Sequence, residues 1–207
     1  MANLIRVVGV GPGSPEYITP EAVNLINSAD VLVGGERLLK QFGAPDKEIF
    51  FIKNNLPEMV EYIKSRRHTN IAVLASGDPA FYGILEFLKK NFNETELLVS
   101  PGLSSVQVAC ARLRISWHDA AFYSVHGRDM DGLLELVKSH RKVIVLTDPA
   151  NTPAVIAARL IAAGILDRKI RVCENLSYGD ERIGEFDLNR VPADIGKSGC
   201  IVVIYNE

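Results

Sequence analysis

Five short stretches of this 207-residue chain place glycine beside a group that can donate, accept or carry a proton. They read GVGPGSPEYIT from Gly9, ASGDPAFYGI from Ala75, PGLSS from Pro101, HGR from His126 and CENLSYGDERI from Cys173. Glycine admits backbone conformations closed to other residues and leaves room for a ligand against the main chain. Within these stretches His126 reads either as a hydrogen-bonded core or surface residue or as a group facing a ligand, and Arg128 either as solvated or as its partner there. Arg128 stands across Gly127 from His126, so both side chains could project from one tight turn, the guanidinium gripping a carboxylate with its forked N–H groups. Ser76 and Gly77 leave amides open beside Asp78, which precedes Pro79 as a cap precedes the first residue of a helix. PGLSS reads as a Pro101-Gly102 turn with Ser104 or Ser105 capping the next helix. Glu174, Glu181 and Arg182 read as solvated faces or hairpin ion pairs, worth at most about 1 kcal/mol each. No G-x-S-x-G elbow is present, which removes the usual basis for a hydrolase.

The first glycine run invites comparison with a dinucleotide loop. Gly9 and Gly11 fit G-x-G-x-x-G, but its third glycine position is Ser14. Pro12 lacks an N–H where a phosphate needs one. The helix is expected only near Pro20, too late for its N-terminus to meet a pyrophosphate at Gly11. Asp30 precedes the second strand, and Gly34-Gly35 stand where a ribose-binding acid belongs. The loop therefore reads as a rigid wall poor in side chains, or as a strand-exit turn whose glycines only permit positive φ.

Positioning these stretches requires strands that end just before them. Short β-branched runs predict strands at Leu4–Val8, Val31–Val33, Ile49–Ile52, Ile71–Ala75, Leu97–Val99, Ala121–Ser124, Val143–Leu146, Arg171–Cys173 and Cys200–Ile204. Helices fall between them, started by Thr19-Pro20, Leu56-Pro57, Asp78-Pro79 and Thr152-Pro153; the last runs to Ala163 and is closed by Gly164. Met59, Val60 and Ile63 share one apolar face, and Ile84, Leu85 and Leu88 another. The alternation predicts an α/β fold of two domains, 1–115 and 116–207, the first mainly parallel and the second mixed, with a hairpin around Tyr178-Gly179-Asp180.

Composition narrows the function classes. With 47% hydrophobic residues and a net charge of −2, the chain carries a core and no basic excess, so nucleic acid is not the expected partner. Cys110, Cys173 and Cys200 are odd in number and far apart, and four histidines are scattered, so neither a disulfide frame nor a metal site is expected. No apolar run approaches the roughly 20 residues of a membrane span, and no leader pattern precedes the first strand; a cytoplasmic location is expected.

Taken in order, the five stretches resemble the tetrapyrrole methylase family, and the resemblance covers nearly the whole chain. VLVGGERLL, PGLSSVQVACARLRISWHDA, SVHGR and LTDPANTPAVIA are similar to its branch that methylates C(5) of cobalt-precorrin-7 in cobalamin biosynthesis. The resemblance implies S-adenosyl-L-methionine as cofactor, a bilobal fold, a tetrapyrrole substrate and a homodimer. Some relatives are fused to a second, decarboxylating C(15)-methyltransferase; this chain resembles the stand-alone form, with a separate enzyme of that kind as a partner. Carried over by position, the cofactor contacts fall on Pro12, Ser76, Gly77, Asp78, Phe81, Ser104, Ser105, Thr147 and Leu176. Substrate contacts fall on His126 and Arg128, and His126 or Asp78 would take the proton released on methylation. Family members acting on RNA or protein share the cofactor stretches, and a non-catalytic nucleotide-binding module is the remaining alternative.

Overall fold

The computed structural model describes residues 3–206. Contacts divide the chain into two compact units, residues 1–104 and 105–207. The sequence pattern places this boundary eleven residues later, at 115/116. The difference is the helix Ser105–Leu113, which packs on the sheet of the second unit and belongs with it.

The first unit holds the strands β1 (Ile5–Gly9), β2 (Val31–Gly34), β3 (Glu48–Phe51), β4 (Ile71–Ala75) and β5 (Leu97–Ser100), all parallel, in the order β3-β2-β4-β1-β5. β2 and β4 are buried along their whole length, as expected for parallel strands covered on both faces. On one face α1 (Pro20–Asn27) and α2 (Glu36–Phe42) supply Ala22, Ile26, Leu38 and Leu39 to a core with Val8, Leu32 and Leu74. On the other, α3 (Leu56–Ser65) and α4 (Leu85–Lys89) bring Met59, Val60, Ile63 and Leu88 against Ile5, Val7, Val33 and Val73. The two threonine caps form, Thr19 accepting from the Ala22 N–H at 3.1 Å and Thr152 from the Val155 N–H at 3.4 Å, while Asn55, before Leu56-Pro57, makes no such bond.

The second unit opens with α5 (Ser105–Leu113) and carries β6 (Ala121–Ser124), α6 (Asp131–Ser139), β7 (Lys142–Leu146), α7 (Pro153–Ala162), β8 (Lys169–Glu174), β9 (Arg182–Asp187) and β10 (Cys200–Tyr205). Its sheet order is β6-β7-β10-β8-β9, with β6 and β7 parallel and the other pairs antiparallel, so the mixed sheet is as expected. Val145, Val172, Val202 and Ile204 face α6 and α7 through Leu133, Val137, Ile156 and Leu160. Gly164, at φ +74°, closes α7 in the left-handed conformation its position requires.

Candidate functional site

In the first unit the chain leaves β1 for β2 in one direction and β4 for β5 in the other, with α1 and α4 on opposite faces. The connections therefore reverse between the neighbouring carboxyl ends of β1 and β4, the place where open α/β sheets leave a crevice for ligands. Here three glycines meet main chain to main chain. A Cβ on Gly9 would stand 2.5 Å from the Gly102 nitrogen and 2.8 Å from the Gly77 oxygen, and one on Gly102 only 2.2 Å from the Gly77 oxygen. The exits of β1, β4 and β5 are thus packed more closely than any side chain permits. Gly77 donates to the Gly11 carbonyl at 2.8 Å and Gly11 returns a longer bond of 3.4 Å to the Gly77 carbonyl, with φ at +70° and +79°. Gly102 has no positive φ. What demands glycine there is the approach of Gly77 and Gly9, not the turn that Pro101-Gly102 suggests.

Asp78 clasps this junction. One carboxylate oxygen accepts from the Ala80 N–H at 2.7 Å and the other from the Gly102 N–H at 3.2 Å, tying the β4 exit to the β5 exit. The expected helix from Pro79 does not form; α4 begins only at Leu85. Tyr82 lies at φ +52° and a Cβ on Gly83 would strike the Pro79 carbonyl at 2.5 Å, so residues 79–84 make a tight loop, closed by the Leu85 N–H on the Pro79 carbonyl at 3.1 Å. Asp78 is therefore the head of an Asx turn rather than a helix cap. Phe81 packs edge-on against Tyr82 at 5.0 Å. Pro12 is half-buried in the β1 exit, Ser76 is exposed, and Ser104 is buried immediately before α5, within 3.7 Å of a Cβ placed on Gly77. Pro12, Ser76, Gly77, Asp78, Phe81 and Ser104 thus gather at one sheet edge.

The remaining candidates lie in the second unit. β6, β7 and β8 run in the same direction, so His126, Arg128, Thr147 and Leu176 all follow carboxyl ends on one edge of that sheet; Ser105 is the first residue of α5. His126 and Arg128 are exposed on a turn closed by the Arg128 N–H on the Val125 carbonyl at 3.3 Å, with Gly127 at φ +65°. Burial alone would raise the Asp148 carboxyl. The N–H groups of Asn151 and Ala150, with the nearby charge of His126, outweigh that and hold it below the ordinary carboxylate range. The Thr147 hydroxyl is engaged with β10: it donates to the Cys200 carbonyl at 3.0 Å and accepts the Cys200 N–H at 2.7 Å.

Leu176 is buried between Asn175 and Ser177, which have positive φ of +50° and +73°. Non-glycine residues held there are costly and mark loops fixed by their surroundings. The fixing group is Glu181, which accepts the Ser177 N–H at 2.9 Å and the Arg112 guanidinium at 2.8 Å. Of the two roles expected of Glu174, the hairpin ion pair forms and the solvated face does not. Glu174 pairs with Arg182 across the β8–β9 hairpin at 3.6 Å, yet it is buried and accepts the Gly196 N–H at 3.0 Å. Sequence reading also passed over Arg37, whose guanidinium donates to the Ser76 hydroxyl at 3.0 Å; its place two residues beyond Gly35 at a strand exit was the available signal. Burial pushes the Cys173 and Cys200 thiols up to about 12 and about 11, which leaves them protonated and unsuited to nucleophilic chemistry. Among the described residues no group of His, Cys, Asp and Glu could hold a metal ion.

A parallel sheet in one unit, with a main-chain junction where its connections reverse, and a mixed sheet in the other define a two-unit α/β protein, and its family is defined by sequence as well. The family model for Tetrapyrrole (Corrin/Porphyrin) Methylases matches residues 5–192, and the chain belongs to that family. It is 37% identical over 97% of its length to a cobalt-precorrin-7 C(5)-methyltransferase of Salmonella typhimurium, 98% of which is covered. A probable cobalt-precorrin-7 C(5)-methyltransferase of Methanocaldococcus jannaschii is 39% identical, with 91% of each chain covered. Among solved structures, a precorrin-6Y methylase of cobalamin biosynthesis from Archaeoglobus fulgidus superposes with a TM-score of 0.76 at 25% identity, over 99% of this chain and 98% of that one.

Proposed function

We propose that this methyltransferase moves a methyl group from S-adenosylmethionine to C(5) of cobalt-precorrin-7. The observation that carries the reading is the glycine cradle at the β1, β4 and β5 exits, in a chain whose near-full-length relatives bear that name. The cradle suits the cofactor. Its walls are main chain and small residues, it places no demand for a pyrophosphate site, and Gly77 keeps a left-handed φ with only Ser104 and Leu103 within reach of an added Cβ. S-adenosylmethionine supplies a methyl group on positively charged sulfur, open to in-line attack by an electron-rich carbon.

The protein's own part is positioning and the exclusion of bulk water, the terms that matter most when both reactants are already reactive. Pro12, Ser76, Gly77, Asp78, Phe81 and Ser104 serve the cofactor in the first unit, and Ser105, Thr147 and Leu176 in the second. Asp78 works as the clasp, since both oxygens are taken by main-chain N–H groups. The proton lost from the methylated carbon goes to the imidazole of His126, which is exposed on its turn, and Arg128 beside it pairs with a substrate carboxylate. The family resemblance adds a homodimer, a cytoplasmic location and a separate C(15)-methylating, decarboxylating partner.

Calorimetry and mass spectrometry together test the proposal. S-adenosylhomocysteine is expected to bind in the micromolar range with no response to NAD, and cobalt-precorrin-7 to gain one methyl group. Binding of NAD alone, or no mass gain, would sink it. Full turnover by His126→Ala would remove the assigned proton acceptor while leaving the reaction standing.

A further inference from the structure

We propose that Arg37, with the clearance above Gly35, recognises a carboxylate side chain of the tetrapyrrole at the exits of β2 and β4. Gly35 caps α2 at φ −67°, ψ 154°, makes no side-chain cap bond, and an added Cβ would meet nothing within 4 Å. Neither backbone conformation nor packing requires glycine here, and serine, aspartate or asparagine would cap the helix better. The space it leaves is therefore available to a ligand. Arg37, two residues on, is exposed and reaches the Ser76 hydroxyl at 3.0 Å, which sets its guanidinium beside the glycine cradle. The adjacent carboxylate, Glu36, is drawn off by Lys40 at 2.7 Å, and Lys53 lies near enough to act on it as well. Lys40 and Lys53 thus offset the Glu36 carboxylate, which leaves the Arg37 charge uncompensated by it. A guanidinium matches a carboxylate through two parallel N–H bonds, and substrate side chains that end in carboxylates supply that partner. The inference rests on the methyl-transfer reading above.

The test measures KM for cobalt-precorrin-7, kcat, and S-adenosylhomocysteine affinity for the full-length protein and three variants. Arg37→Ala is expected to raise KM roughly tenfold to a hundredfold, the usual range for a lost charged hydrogen bond. Its kcat should stay within about twofold, and S-adenosylhomocysteine affinity should fall by less than KM rises, since Arg37 meets the cofactor wall only through the Ser76 hydroxyl. Arg37→Lys should recover part of the loss, retaining charge without the fork, and Gly35→Ala should raise KM by filling the clearance. An unchanged KM in Arg37→Ala, or a loss confined to S-adenosylhomocysteine affinity, overturns the inference while wild-type turnover upholds the underlying reading. A wild-type protein that does not methylate the precorrin overturns both.

Discussion

Replacing Gly102 by alanine tests the main-chain junction directly. Its Cβ would arrive 2.2 Å from the Gly77 oxygen and 2.8 Å from the Gly9 carbonyl carbon, where ordinary contact begins at 3.4 Å. Both neighbours are backbone, so no rotamer change relieves the clash and the strand exits must part by more than an ångström. Overpacking of this kind costs roughly 1–3 kcal/mol. The same shift strains the Gly102 N–H bond to Asp78, a bond to a charged group, so we expect a total near 2–4 kcal/mol. For a chain of this size that lowers the melting temperature by about 5–15 °C. Differential scanning calorimetry reads the melting temperature and titration calorimetry the S-adenosylhomocysteine affinity, which should fall at least tenfold. Gly35→Ala is the control, expected within ~0.5 kcal/mol of wild type because its Cβ meets nothing. A Gly102→Ala protein that melts within about 2 °C of wild type and binds the ligand equally well would refute the reasoning.

Further expectations concern the second unit. Glu181→Ala should release the Ser177 N–H and Arg112 together, loosen the left-handed residues flanking Leu176, and weaken S-adenosylhomocysteine binding about tenfold in calorimetry; unchanged affinity would remove Leu176 from the cofactor site. Cys173 and Cys200 should resist iodoacetamide at pH 8 in the native protein and react once denatured, because burial holds their thiols at about 12 and about 11; rapid native labelling by mass spectrometry would contradict this. Asp148 has a folded-state value below the ordinary 3.8, so its share of stability is complete above that value and is lost as pH falls through the lower one. Asp148→Asn should accordingly flatten the acid limb of stability against pH in urea melts below about pH 4.

Nine of the strands were legible as short, mostly apolar runs ended by small or turn-forming residues, while β9, RIGEFD, was legible only as the second arm of the hairpin around Tyr178-Gly179-Asp180. Even the mixed character of the second sheet followed from the hairpin pattern after Arg168. What local pattern could not supply was strand order. Gly9, Gly77 and Gly102 looked like three separate turns, and only the order β4-β1-β5 brings them into contact. The helix expected from Pro79 failed for a similar reason. Asp-Pro is a sound start signal, but Asp78 is claimed by Gly102 of another strand exit, and the left-handed Tyr82 interrupts the turn. Glu174 shows the limit for charge: a carboxylate at a strand end reads as solvated or ion-paired, and nothing local announces that it is buried and accepts the distant Gly196 N–H. Arg37 escaped notice because its partner, Ser76, lies 39 residues away.

A wall made of main chain has no rotamers to lose. Where side chains line a pocket, each one immobilised by a ligand costs about 0.5–1.5 kcal/mol in conformational entropy. The junction of Gly9, Gly77 and Gly102 avoids that charge, since its shape is set by hydrogen bonds and packing formed when the sheet folds. Substitutions in the surrounding loops can then change side chains around the junction without reshaping the main-chain surface itself.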